Sequence, residues 1–109
     1  MNNLRGEFTF TINKKKYEAV ITLNALRMMC QADGIKLEGL DKYMQEDPMT
    51  AICSLTYWGI KNAAMRKGKD SNLMGFDQFC ALVLDDGETF ESLSNAVMQT
   101  LNPEDEGNA

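Results

Sequence analysis

The chain has 109 residues, 44% of them hydrophobic and 25% charged, with three cysteines, no histidine and a formal net charge of −5. That length and balance predict one soluble domain, residues 1–102, able to bury its own core, and no apolar run approaches the ~18 residues of a membrane span. Without histidine a Cys/His zinc site is excluded, and a serine or cysteine nucleophile lacks its usual base.

The opening Met-Asn-Asn-Leu-Arg-Gly-Glu has no apolar stretch, so no signal peptide is expected and the protein reads as cytoplasmic. Phe8, Phe10 and Ile12 then alternate with Glu7, Thr9 and Thr11, the period of a half-buried strand. Asn13-Lys14-Lys15 supplies turn chemistry, with Asn suited to a left-handed position. Tyr17, Ala19 and Ile21 alternate with Lys16, Glu18 and Val20 in a returning strand, which closes a hairpin over 6–22. A lone hairpin is marginal in water, so its apolar face must rest on helices.

Five helices are expected to follow, over about 24–33, 37–46, 48–66, 76–85 and 88–101. Thr22 or Asn24 caps the first, and Gly34 ends it. Leu37, Leu40 and Met44 repeat at i, i+3, i+7 in the second. Asp47-Pro48 caps and starts the third, where Met49, Ile52, Cys53, Thr56, Gly59, Ile60, Ala63 and Ala64 form one stripe. Ala51, Leu55, Trp58 and Met65 lie partly on its other side, so this helix should be central. Phe76, Phe79, Cys80 and Val83 mark the fourth helix, and Phe90, Leu93, Val97 and Leu101 the fifth. Pro103 stops the fifth, and an acidic tail, 103–109, is expected to be disordered. The fold class is α+β, mostly α: an N-terminal β-hairpin packed on a bundle of four to five helices.

Few motifs carry chemistry. Asp33-Gly34 and Asp86-Gly87 lack carboxylates at the preceding positions of a calcium loop, and neither a phosphate-cradling glycine loop nor Gly-x-Ser-x-Gly occurs. Cys30, Cys53 and Cys80 each fall in an apolar helical pattern and read as core residues. No metal, cofactor or catalytic residue is assigned, and the protein is read as a non-enzyme.

Charge is unevenly placed. Residues 1–69 hold all 11 cations against 7 acids, a net of +4, while 70–109 hold 9 acids and no cation, a net of −9. Lys14, Lys15 and Lys16 beside Tyr17 form the best nucleic-acid candidate. Overall acidity, and the use of charged tips against edge-to-edge pairing, favour a solvated tip instead.

The order of elements is also informative. A Gly-Glu-Phe-Thr-Phe-Thr-Ile hairpin start is followed by Tyr-Glu-Ala-Val-Ile-Thr-Leu running straight into Asn-Ala-Leu-Arg-Met-Met. Then come DGIKLEGLDKYM, a helix centred on LTYWGIKNAAMRKG, and FDQFCALVLDD. Over roughly residues 6–95 this order resembles the small tail assembly chaperone-like proteins of phage and gene-transfer-agent tail clusters. The resemblance implies a cofactor-free, non-enzymatic factor that binds the tape measure protein, a long helical rod, and helps recruit tail tube subunits. Binding a rod needs exposed, adaptable apolar surface, for which Met28, Met98 and Trp58 are the candidates. Coating it implies contact between copies, with the Lys14–Lys16 tip set against Asp85, Asp86 and Glu88. The alternative is a small nucleic-acid-associated regulator of mobile-element origin that uses the same lysine tip.

Overall fold

The structure, a computed structural model, describes residues 6–101; the expected acidic tail lies outside them. The period-two segments fold as β1, Gly6–Ile12, and β2, Lys15–Ile21, paired antiparallel with Phe8 opposite Ala19, Phe10 opposite Tyr17 and Ile12 opposite Lys15. Between the strands stand only Asn13 and Lys14, with φ of 52° and 68°, the two positive values a type I′ hairpin requires. Lys15 therefore belongs to β2 and not to the turn. The expected alternation also fails at the end of β2. Val20, read as solvent-facing, is buried along with Ala19 and Ile21, because both α1 and α3 pack on this strand.

Five α-helices follow: α1, Leu23–Asp33; α2, Leu40–Glu46; α3, Pro48–Arg66; α4, Phe76–Leu84; and α5, Gly87–Leu101. Gly34, at φ 71°, closes α1 by donating its N–H to the Cys30 carbonyl at 2.9 Å. The helix expected over 37–46 is split, since Leu37–Gly39 winds as a 3₁₀ turn before α2. The tighter winding takes Leu37 off the stripe it was expected to share: Leu40 is buried and Leu37 is 54% exposed.

α3 is the central element. Asp47 caps it by accepting the Thr50 N–H at 3.2 Å, with Pro48 in the first turn, and every residue from Ala51 to Tyr57 is buried. Met49, expected in its stripe, is exposed instead, two residues short of that buried stretch. A Cβ on Gly59 would lie 3.1 Å from Ile21 Cδ1 and 3.3 Å from Ala19 Cβ, so the glycine lets β2 and α3 approach as closely as they do. α4 and α5 complete the core with Phe79, Val83, Leu93 and Val97. The far end of α5 meets the start of β1, where a Cβ on Gly6 would press on Thr100, 2.6 Å from its Cγ2. The fold is thus a hairpin seated on a helical bundle. No helix among the described residues is long and apolar enough to cross a membrane.

Candidate functional site

An exposed apolar surface forms around α1, and its position is set by a polar joint. Thr22 is the N-cap of α1, yet its side chain accepts no hydrogen bond from the helix it caps. Its hydroxyl instead accepts from Asn62 Nδ2 at 3.1 Å, and the same nitrogen donates to the Val20 carbonyl at 2.9 Å. Asn62 Oδ1 in turn accepts from Asn24 Nδ2 at 2.9 Å. Asn62 is 1% exposed and ties the end of β2 and the first turn of α1 to α3. At the other end of α1, Asp33 Oδ2 accepts from Tyr43 Oη at 2.7 Å and Ser54 Oγ at 2.8 Å, which fixes α1 to α2 and α3. Burial, and then the bond to Asp33, push the Tyr43 phenol well above its ordinary range.

Held between these joints is a hollow of about 760 Å³ whose apolar wall is Leu23, Leu26, Cys30, Ile35 and Leu37. Leu23 is 63% exposed. The charged residues lining it are Arg27 and Lys36, both cations. A second hollow of about 330 Å³ adjoins it through Leu26 and Leu37 and runs to Leu40, Met44, Met98 and Leu101. The two share Leu26 and Leu37 as a common wall and together form a largely apolar trough across α1, the 3₁₀ turn, α2 and α5, with Asp41 and Gln45 lining its second part.

The three residues expected to face a partner end in three different places. Met98 lines the trough and is 42% exposed. Met28 is buried at 9%, a correction to its reading as exposed: it follows the buried Leu26 on a helix packed against both β2 and α3. Trp58 is half-buried on α3, edge-on to Tyr57 at 5.5 Å, with Lys61 over its ring at 5.8 Å, and it does not line the trough. Sequence reasoning missed Leu23, Leu37, Arg27 and Lys36. The first had a weak signal, an apolar residue between the capping candidates Thr22 and Asn24. Leu37 had none, since it fitted the stripe of an unbroken helix.

The charged candidates separate toward opposite ends of α3. Lys67, just past that helix, pairs with Glu18 Oε1 at 2.6 Å, and a hollow of about 350 Å³ there collects Lys16, Tyr17, Lys67 and Lys69 along with Glu18 and Asp70. Lys14 sits at the turn apex, and Lys15 lies over the Tyr17 ring at 5.4 Å. α4 runs antiparallel to α3, for the Tyr57 hydroxyl donates to the Met74 carbonyl at 2.8 Å while Cys80 meets Cys53 further back along α3. The Asp85–Glu88 turn therefore lies toward the start of α3. Asp85 and Glu88 are exposed there. Asp86 is already engaged as the cap of α5, accepting from the Glu88 N–H at 3.1 Å and the Thr89 hydroxyl at 2.8 Å.

Of the three cysteines, all free, Cys53 is buried and Cys30 and Cys80 are half-buried. The Cys53 thiol is pushed up to about 12, chiefly by burial and then by the neighbouring Cys80, and burial raises Cys30 and Cys80 as well, so all three are held as neutral thiols. Among the described residues no group of three or more His, Cys, Asp or Glu could hold a metal ion. Compared with known proteins, the chain matches no family model, no curated protein and no solved structure.

Proposed function

We propose that the protein is a non-enzymatic assembly factor of the tail assembly chaperone type, which holds a helical segment of a tape measure protein and helps gather tail tube subunits along it. The single observation that carries the reading is the trough, where Leu23, Leu37 and Met98 stay 63%, 54% and 42% exposed around a pre-formed apolar floor. Apolar anchors from one face of a helix fill such a groove, and a methionine on its wall adapts to varied side chains. The Lys14–Lys16 end and the Asp85–Glu88 turn are the surfaces we assign to contact between copies, Asp85 and Glu88 more than the capping Asp86.

The test is size exclusion with light scattering on the protein alone, and mixed with a helical tape measure fragment from the neighbouring long reading frame. The reading expects a larger complex with several copies per fragment. Separate elution of protein and fragment at micromolar concentration refutes it. A second reading, nucleic-acid association, is favoured by one observation: Lys16, Lys67 and Lys69 converge beside Tyr17. Against it, Glu18 and Asp70 line the same hollow, and Glu18 pairs with Lys67. Micromolar, salt-sensitive binding of DNA or RNA that is lost in K16E/K69E, with no fragment complex, would select it.

A further inference from the structure

We infer that the larger hollow, walled by Leu23, Leu26, Ile35 and Leu37, is a docking groove for an amphipathic helix whose apolar stripe is flanked by carboxylates. This rests on the helix-binding reading above and adds to it the place and the chemistry of the bound segment.

The argument begins with what a folded acidic protein leaves unpaired. The chain has 16 acids and 11 cations, so a cation at the surface has carboxylates available to it. Yet the two charged residues that line this hollow are both cations. Arg27 spends its donors on neutral amides: Nε and one terminal nitrogen on Asn24 Oδ1, at 3.0 and 2.8 Å, and the other on Gln31 Oε1 at 3.4 Å. Those bonds hold the guanidinium in place without neutralising it. Lys36 has no carboxylate partner among the described residues. Two uncompensated cations on the rim of an apolar hollow complement a ligand that is apolar on one face and anionic at its edges.

The groove is also built in advance of its ligand. Asn62 fixes the first turn of α1, and Asp33 fixes its last turn to α2 and α3. Ordering the site on binding therefore removes little freedom. The trough continues past Leu26 and Leu37 to Met98, with Asp41 lining that far part, so the preference for carboxylates is set at the end that Arg27 and Lys36 line. A helix presents anchors at i, i+3 or i+4, and i+7 over about 10 Å of one face, a row of apolar side chains to set against this apolar wall. An extended peptide would instead need an open strand edge to pair with, and this wall is helical.

Two fluorescein-labelled amphipathic helices with one leucine stripe, flanked by Glu in one and by Lys in the other, provide the test. Their binding to the full chain is read by anisotropy at 50 and 500 mM NaCl. The Glu-flanked helix is expected to bind about tenfold tighter at low salt, with the preference shrinking at high salt. R27E/K36E should invert the preference. L37Q, which alters an exposed side chain, should weaken both helices about tenfold while circular dichroism stays unchanged. Equal binding of the two helices, or no effect of R27E/K36E, overturns the inference. So does a dimer of the free protein that L37Q dissociates, since that assigns the groove to a second copy. The same variants with the tape measure fragment separate this inference from the reading beneath it. Fragment binding that survives both changes removes the groove and leaves the chaperone reading. Glu-selective, Leu37-dependent binding by a protein that ignores the fragment removes the chaperone reading and leaves the groove.

Discussion

Asn62→Ala tests the joint on which the groove depends. The sheet has two strands, so carbonyls on the outer edge of β2 need partners from elsewhere, and Asn62 supplies one to Val20 at 2.9 Å. Truncation to alanine removes that bond, the bond to Thr22 and the acceptor for Asn24 at once. A buried acceptor left unmet costs about 1–3 kcal/mol, and the small void at a position 1% exposed adds roughly 1 kcal/mol. The expected total is about 2–4 kcal/mol, a large share of the ~5–15 kcal/mol that holds a domain folded. Urea unfolding followed by circular dichroism reads it directly. With a slope of roughly 1–3 kcal/mol per molar, the midpoint should fall by about 1–2 M. Asn24→Ala, which removes the half-exposed arm to Asn62 together with the two solvent-exposed bonds from Arg27, should cost less than N62A, about 1 kcal/mol. The first two turns of α1 carry Leu23 and Arg27, so N62A should also speed amide exchange there ahead of α3 and weaken helix binding. A midpoint within ~0.2 M of the parent, with unchanged exchange in α1, would refute the reasoning.

Three further outcomes are expected. Lys14→Gly should stabilise the protein by roughly 0.5–1 kcal/mol in the same unfolding assay, because residue 14 sits at φ 68° and Asn-Gly is the preferred type I′ pair; a loss of stability would mean that the lysine side chain contributes more than the backbone strain. Thr56→Val should be neutral or stabilising by up to ~1 kcal/mol, since the Thr56 hydroxyl is buried with no partner among the described residues; a loss above ~1 kcal/mol would reveal a bond to that hydroxyl. Stability should fall as pH rises from about 9 toward about 12. Cys53 holds its proton more tightly folded than unfolded, so its contribution is complete below its ordinary value near 9 and fades toward its folded value, with a slope of at most ~1.4 kcal/mol per pH unit. Tyr43 shifts in the same direction. Thermal midpoints between pH 8.5 and 11 should show the decline in the parent and a shallower one in C53A, and a flat profile in the parent would contradict it.

What the residues alone determined is local. Period-two alternation marked both strands, Asn13 signalled the left-handed turn, Gly34 and Asp47-Pro48 punctuated the helices, and the broad apolar surface of α3 announced its central place. Each of these depends on a residue and its neighbours within about one turn, where propensity and patterning act directly. The candidate site was legible only in part. Met98 was identified as exposed, but Leu37 was placed in a stripe that a 3₁₀ turn breaks, and Met28 was placed in solvent that neighbouring elements exclude. Nothing local singles out Asn62; three residues of one stretch some 40 positions away in sequence, Val20, Thr22 and Asn24, converge on its amide. Exposure and pairing are properties of what lies opposite a side chain. A sequence pattern gives the direction in which a residue points along its own element, and only the packing of the elements decides whether a neighbour meets it there.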